Sequence, residues 1–289
     1  MKTYKNFVKT IAANIKKQIE ESSNTHVSRF DRTFNPGLPT NAKGNYYRGV
    51  NIFNLLDQTK QAGYKSDQWL TFKKIKELGG SVIKGEKSSI AYFFKPLEQK
   101  KVEVEGVEMT DMQSPTMVYR EYRVFNLAQT SLISDDIEPP IHSDILRFVD
   151  KVGVHINHMD IAKAYYMSCR DVICLPLASS FKSEDDYLAT LCHEIAHWTG
   201  HKTRLNRDSV KNYGKDIKIR ALEELVAEIS SASLMSYFGI KGTMENHASY
   251  IESWMTVLTD DDFERAVIEA GKVLNLILDA DSYQEENVA

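Results

Sequence analysis

Cysteine is scarce in this sequence: three residues in 289, Cys169, Cys174 and Cys192, with no CxxC pair among them. That argues against a disulfide scaffold and points to a reducing cytoplasm, with each thiol read as a small buried hydrophobe. Long apolar runs are missing too, since no stretch approaches the ~18 residues a membrane span requires, so no membrane partner is expected. A secretion signal is not read at the start, because Lys5, Lys9, Lys16 and Lys17 interrupt any continuous apolar region. No internal repeat or low-complexity tract is present, and DSYQEENVA at the end reads as a polar tail.

What is present is a chain of ordinary globular composition, 42% hydrophobic and 26% charged. It is longer than one hydrophobic core usually serves, so two domains are expected. The net charge of -4 hides an asymmetry. Residues 1–128 hold 21 Lys and Arg against 13 Asp and Glu, and residues 129–289 hold 15 against 27, giving halves of plus 8 and minus 12. A basic half of this kind suits an anionic partner such as nucleic acid. The stretch SLISDDIEPPIHSD (131–144), acidic and carrying Pro139 and Pro140, breaks helix and strand alike and is the expected boundary. The domains are therefore set at 1–130 and 142–289.

Tyr4, Val8, Ile11, Ile15 and Ile19 recur at helical spacing and predict an N-terminal amphipathic helix that packs into a core. YYRGVNIFNLLDQTK and WLTFKKIKELGG read as further helices, the second closed by Gly79 and Gly80. SVIKGEKSSIAYFFKP and TMVYREYRVFNL, rich in Val, Ile, Tyr and Phe, read as strands. The first domain is thus α+β. In the second, a helix near 142–152 precedes DVICLPL, a strand that Pro176 would place near an edge. Helices are expected over the segment after Ser183 and near 218–238, 246–258 and 263–278, so this domain is mainly helical with a small sheet.

The helix after Ser183 carries LATLCHEIAHWTGHKTRL. Residues four apart share a helix face, so His193 and His197 can present two imidazole nitrogens to one ion, with Glu194 beside them. This HExxH spacing is that of two zinc ligands and a carboxylate able to deprotonate a water activated by the ion. Zn2+ with an open position needs a third protein ligand from elsewhere. The extended form HExxHxxGxxH is begun by Gly200 but fails at Thr203. ALEELVAEISSA offers Glu224 and Glu228, four apart, one to ligate and the other to accept a hydrogen bond from a ligand imidazole. His201, Arg204, Tyr213 and Lys202 are candidates for substrate or oxyanion contacts.

In the basic half, aromatic and cationic residues interleave, and single strands are held in that way, phosphates by cations and bases by stacked rings. The candidate DNA contacts are Tyr47, Arg48, Trp69, Lys84 and Lys87, with the KGEK turn (84–87) the most exposed of them.

DVICLPLASSF, YLATLCHEIAHWTGHKTRL, ALEELVAEI and SYIESWMTVL resemble the zincin-like domain of the ArdC antirestriction family, and NAKGNYYRGVNIFNLL, WLTFKKIKELGGSVIKGEKS and YRVFNLAQT resemble its N-terminal domain. The resemblance covers nearly the whole chain. It implies a plasmid- or phage-type protein with a single-stranded-DNA-binding N-terminal domain and a C-terminal metallopeptidase fold, protecting incoming DNA from restriction. It also implies His193 and His197 as metal ligands, Glu194 as the catalytic glutamate and Glu224 as the third ligand. Arg220 departs from the pattern, standing where a small or aromatic residue is expected. Two functions follow: a peptidase delivered to a DNA-bound protein, or a passive shield for DNA in which zinc holds the fold.

Overall fold

The structure, a computed structural model, describes residues 2–25, 37–96, 101–104, 107–110, 117–133, 143–241 and 254–282. In chain order the first half holds α1 (Lys2–Thr25), α2 (Val50–Ala62), β1 (Trp69–Thr71), α3 (Phe72–Glu77), β2 (Ser89–Pro96), β3 (Lys101–Val104), β4 (Val107–Thr110) and β5 (Met117–Asn126). The second half holds α4 (Ile145–Val152), β6 (His155–Met159), β7 (Tyr165–Met167), β8 (Val172–Pro176), α5 (Glu184–Trp198), α6 (Asp208–Lys211), α7 (Ile217–Phe238) and α8 (Asp260–Ser282).

The expected stripe on α1 is buried at Val8, Ile11 and Ile19 and half-buried at Tyr4 and Ile15. Burial of each such aliphatic side chain stabilises the fold by about 1.5–3 kcal/mol. The helix lies against the sheet β1-β5-β2, where Tyr4 stacks on Tyr119 of β5 at 4.5 Å and Phe7 meets Tyr92 of β2. β5 runs antiparallel to both neighbours, with Trp69 opposite Asn126 and Ser89 opposite Val124. β3 and β4 pair separately as a hairpin.

Three expectations need correction here. Trp69, Leu70 and Thr71 form a strand rather than the start of a helix. The helix begins only at Phe72, where the Thr71 side chain accepts the Lys74 amide as an N-cap. YYRG likewise precedes α2, because Gly49 adopts a φ of 58° that an L side chain rarely takes. β8 is central in the order β6-β8-β7, parallel to β6 and antiparallel to β7, and Pro176 is accommodated as its last residue. Most of the helix expected at 246–258 lies outside the described residues.

The two halves share one continuous core running from Val8 and Leu55 through Ile195 and Val226 to Val273 and Ile277. α8 makes the join, packing on α7 and on α1 and reaching the start of α2. A Cβ on Gly271 would stand 3.0 Å from the Gly49 backbone, so any other residue there would push the two segments apart by a few tenths of an ångström. There the Gly49 amide donates to Asn275 Oδ1 at 2.9 Å, and Arg48 pairs with Asp279 at 2.8 Å. None of the described helices is long and apolar enough to cross a membrane.

Candidate metal centre

α5 starts where the Ser183 hydroxyl accepts the Asp186 amide, with Glu184, Asp185 and Asp186 in a first turn whose dipole favours acids. Its second half, Leu191 to Trp198, is buried throughout and packs on α7. Helical periodicity sets His193 and His197 side by side, their Nε2 atoms 3.1 Å apart. Glu224 reaches over from α7, its carboxylate oxygens 3.5 Å from His193 Nε2 and 3.7 Å from His197 Nε2. Ligands about 2.0–2.1 Å from a tetrahedral ion lie roughly 3.3 Å from one another, so the spacing of these three groups fits such an ion. Ligand atoms of all three lie within 4.8 Å of one another, and all three residues are buried.

The electrostatics fit a cation as well. Burial alone would lower the His197 pKa, but the hydrogen bond to Glu223 and the charges of Glu224, Glu223 and Glu194 push it up to about 9. Burial would raise Glu224, yet His193, His197 and the Tyr213 hydroxyl hold its carboxyl well below the usual range. The surrounding carboxylates thus favour positive charge on the imidazole side of the cluster, and the imidazoles favour negative charge on Glu224.

Behind the cluster stands a residue that spacing did not single out. Glu223, fully buried, accepts His197 Nδ1–H at 3.0 Å. It is held in turn by Arg207 at 2.6 and 3.1 Å and by the Ser209 hydroxyl at 2.5 Å. Arg207 also donates to Thr199 Oγ1 and to the Ala196 carbonyl, both at 2.7 Å. Gly200 makes room for it, since a Cβ there would fall 2.8 Å from Arg207 Nη2 and 2.3 Å from Val210 Cγ2. Glu228, expected as the imidazole's partner, does not take that place. It lies one turn further along α7, lining a cavity of about 90 Å³ with Ile11, Phe53 and Asp57. The physical reason is that Nδ1 and Nε2 point to opposite sides of the ring, so a partner for Nδ1 cannot share the metal-facing side. The adjacent acids EE were the available signal.

A cleft of about 590 Å³ opens on the cluster, lined by His193, Glu194, His197, Tyr213, Arg220 and Glu224 together with Tyr165, Tyr166, Phe181 and Trp254. Tyr213 hydrogen-bonds Glu224 and its pKa is raised, first by burial and then by that carboxylate, so the phenol keeps its proton. His201 and Arg204 do not line the cleft. Arg204 lies 3.7 Å over the Trp198 ring, donates to the Trp198 carbonyl and pairs with Asp171. His201 meets Thr203 at 2.8 Å. Lys202 is exposed and also outside the lining.

The DNA candidates divide. Trp69 is 1% exposed and Tyr47 6%, with the Tyr47 hydroxyl bonded to the Trp69 carbonyl, so neither ring is available to a base. They were misread because large aromatics fill cores as readily as they stack on bases. Arg48 is engaged by Asp279 and the Asn275 carbonyl. Lys84 and Lys87 are exposed on the turn around Gly85. Aromatics that do reach solvent were passed over: Phe72 at 53% exposure, and Phe93 at 45%, which packs edge-on to Tyr122 beneath Arg120.

Residues 143–272 match the family model of a zincin-like metallopeptidase, and residues 5–125 match that of the N-terminal domain of anti-restriction factor ArdC. Among curated proteins, DNA primase TraC of Escherichia coli is 30% identical over 96% of this chain, which spans 20% of that protein's length. The uncharacterized protein y4eC of Sinorhizobium fredii is 30% identical over 82% of this chain and 78% of its own length. The metal-free crystal structure of antirestriction protein ArdC from plasmid R388 superposes with a TM-score of 0.71 at 29% identity, covering 96% of this chain and 98% of that one. Its Mn(II)-bound structure gives 0.69 at 30% identity, covering 94% and 98%. With both halves matched by their respective models and nearly the whole chain by solved structures, this protein belongs to the ArdC antirestriction family.

Proposed function

We propose that this chain protects incoming plasmid or phage DNA as a single-stranded-DNA-binding protein of the cytoplasm, residues 1–130 binding the strand and residues 142–289 hydrolysing peptide bonds in a DNA-associated protein. The observation that carries the hydrolytic reading is the convergence of His193, His197 and Glu224 beside Glu194 in an open cleft. His193, His197 and Glu224 would hold one Zn2+, which when bound supplies Lewis acidity toward a water and an amide carbonyl. Glu194 takes the proton of the attacking water and passes it to the leaving amine. Tyr213, still protonated, exchanges its bond to Glu224 for one to the oxyanion that forms. Glu223 fixes the His197 ring and its tautomer.

A purely structural metal is less well supported. The R388 relative matches this chain about equally in its metal-free and Mn(II)-bound structures, with TM-scores of 0.71 and 0.69, so in that relative the ion is not what holds the fold. A structural site also has no use for Glu194. For DNA, we assign the exposed cations Lys84, Lys87 and Arg120 and the exposed rings Phe72 and Phe93, of which Arg120 and Phe93 stand opposite one another in the β2–β5 pair. The test is a metal assay on the purified chain together with a cleavage assay with and without single-stranded DNA. One zinc per chain and cleavage that stops in Glu194→Gln are expected. Metal without any cleavage would leave the passive shield.

A further inference from the structure

Arg220 lies in the first turn of α7, four residues before Glu224. The two share a helix face, about 6 Å apart along the axis. The Arg220 guanidinium stands 5.3 Å from the centroid of the Tyr213 ring, and the Tyr213 hydroxyl bonds Glu224. Arg204 and Arg207 nearby are each tied to a carboxylate, Asp171 and Glu223. Arg220 lines the cleft, is exposed, and among the described residues has no carboxylate within ion-pair reach. Lys163 and Lys182 line the same cleft, where the acids among the described residues are Asp186, Glu194, Glu223 and Glu224. A cationic rim thus borders the metal site on the half of the chain that carries a net charge of minus 12.

A guanidinium resting on an aromatic face keeps its planar fork oriented, and that fork matches a carboxylate in two parallel hydrogen bonds. We propose that Arg220 is a specificity-determining residue that binds a carboxylate of the substrate peptide, one or two residues from the bond cut. The distance follows from the offset of about 6 Å from Glu224 and the roughly 3.3–3.6 Å that each extended residue spans. The carboxylate is either an Asp or Glu side chain or the C-terminus of the peptide. The inference rests on the peptidase reading above.

The test uses the whole 289-residue chain, loaded with zinc, with single-stranded DNA present. It is given a mixture of peptides varied at every position, half with free and half with amidated C-termini. Cut sites are read by mass spectrometry, with Glu194→Gln as the blank. Enrichment of Asp or Glu by about tenfold, one or two residues from the cut, is expected, since charge-assisted hydrogen bonds are worth that much. Arg220→Gln should bring the enrichment near one, and Arg220→Lys should keep part of it, both variants retaining wild-type zinc content and melting temperature. Enrichment within amidated peptides assigns the side-chain source, and preference confined to free C-termini assigns the terminus. Cutting without acid preference, or with a preference that survives Arg220→Gln, overturns the subsite and leaves the peptidase reading intact. No cutting above the blank overturns both.

Discussion

The cleft between α5 and α7 and the basic surface around α3 differ in what holds their chemical groups in place. In the cleft, His193, Glu194, His197, Glu223 and Glu224 are all buried, and His197 is gripped from behind by a chain of bonds through Glu223, Arg207 and Ser209. On the surface, Phe72, Lys84 and Lys87 are exposed side chains. Such a cleft tolerates one geometry, so a single change there should act strongly. A surface binds by many small contributions, each of which can be lost alone.

The largest effect should come from a metal ligand. His193→Ala should bring zinc in the dialysed protein from about one per chain to near zero, measured by elemental analysis. Glu194→Gln should retain the metal and lose about 10²–10⁴ in any hydrolytic rate. Equal zinc in wild type and His193→Ala would remove the site from this cleft.

Next in size is the contrast between neighbouring acids. Glu223→Gln should weaken metal binding by about 10–100-fold in a chelator competition, because the His197 ring loses its ionic partner. It should also destabilise the metal-free protein by about 3–5 kcal/mol, leaving Arg207 buried with its charge uncompensated. Glu228→Gln should leave metal affinity unchanged. If the two variants bound metal alike, Glu223 would not orient the imidazole.

A third experiment sharpens the surface side. Phe93→Ala should cost roughly 1–3 kcal/mol of single-strand affinity by fluorescence anisotropy, the worth of one stacked base. Reversal of Lys84 and Lys87 should weaken all sequences about equally, and the wild-type affinity should fall as salt rises. Trp69→Phe should change stability more than affinity, since its ring lies in the core. Duplex and single strand binding equally well would sink the stacking model.

The smallest effect concerns the pairing that ties β8 to the end of α5. Burial tends to raise the Asp171 carboxyl, but the hydrogen bonds and charge of Arg204, with the Tyr166 hydroxyl, hold it below the usual carboxylate range. A depressed folded pKa means stability that is present above the unfolded value and lost as pH falls through the folded one. Asp171 has a φ of 53°, which Asn also tolerates, so Asp171→Asn tests the charge without straining the backbone. We expect a loss of about 1 kcal/mol at neutral pH, discounted for partial exposure, fading below about pH 4 in urea titrations.

Sequence alone determined much of this protein. The α1 stripe, the acids after Ser183 and the spacing of His193 and His197 were legible because a helix repeats every 3.6 residues, so position along the chain dictates which side chains share a face. The α+β and mainly helical halves followed from the same periodicities. Tertiary structure alone decided the rest. Whether Tyr47 and Trp69 face solvent or core, and whether Glu223 or Glu228 meets His197, depends on which side of one element is turned toward another. So does the room that Gly200 gives Arg207. Packing between segments far apart in the chain fixes these outcomes, and a ring that buries well and a ring that stacks on a base have the same local signature.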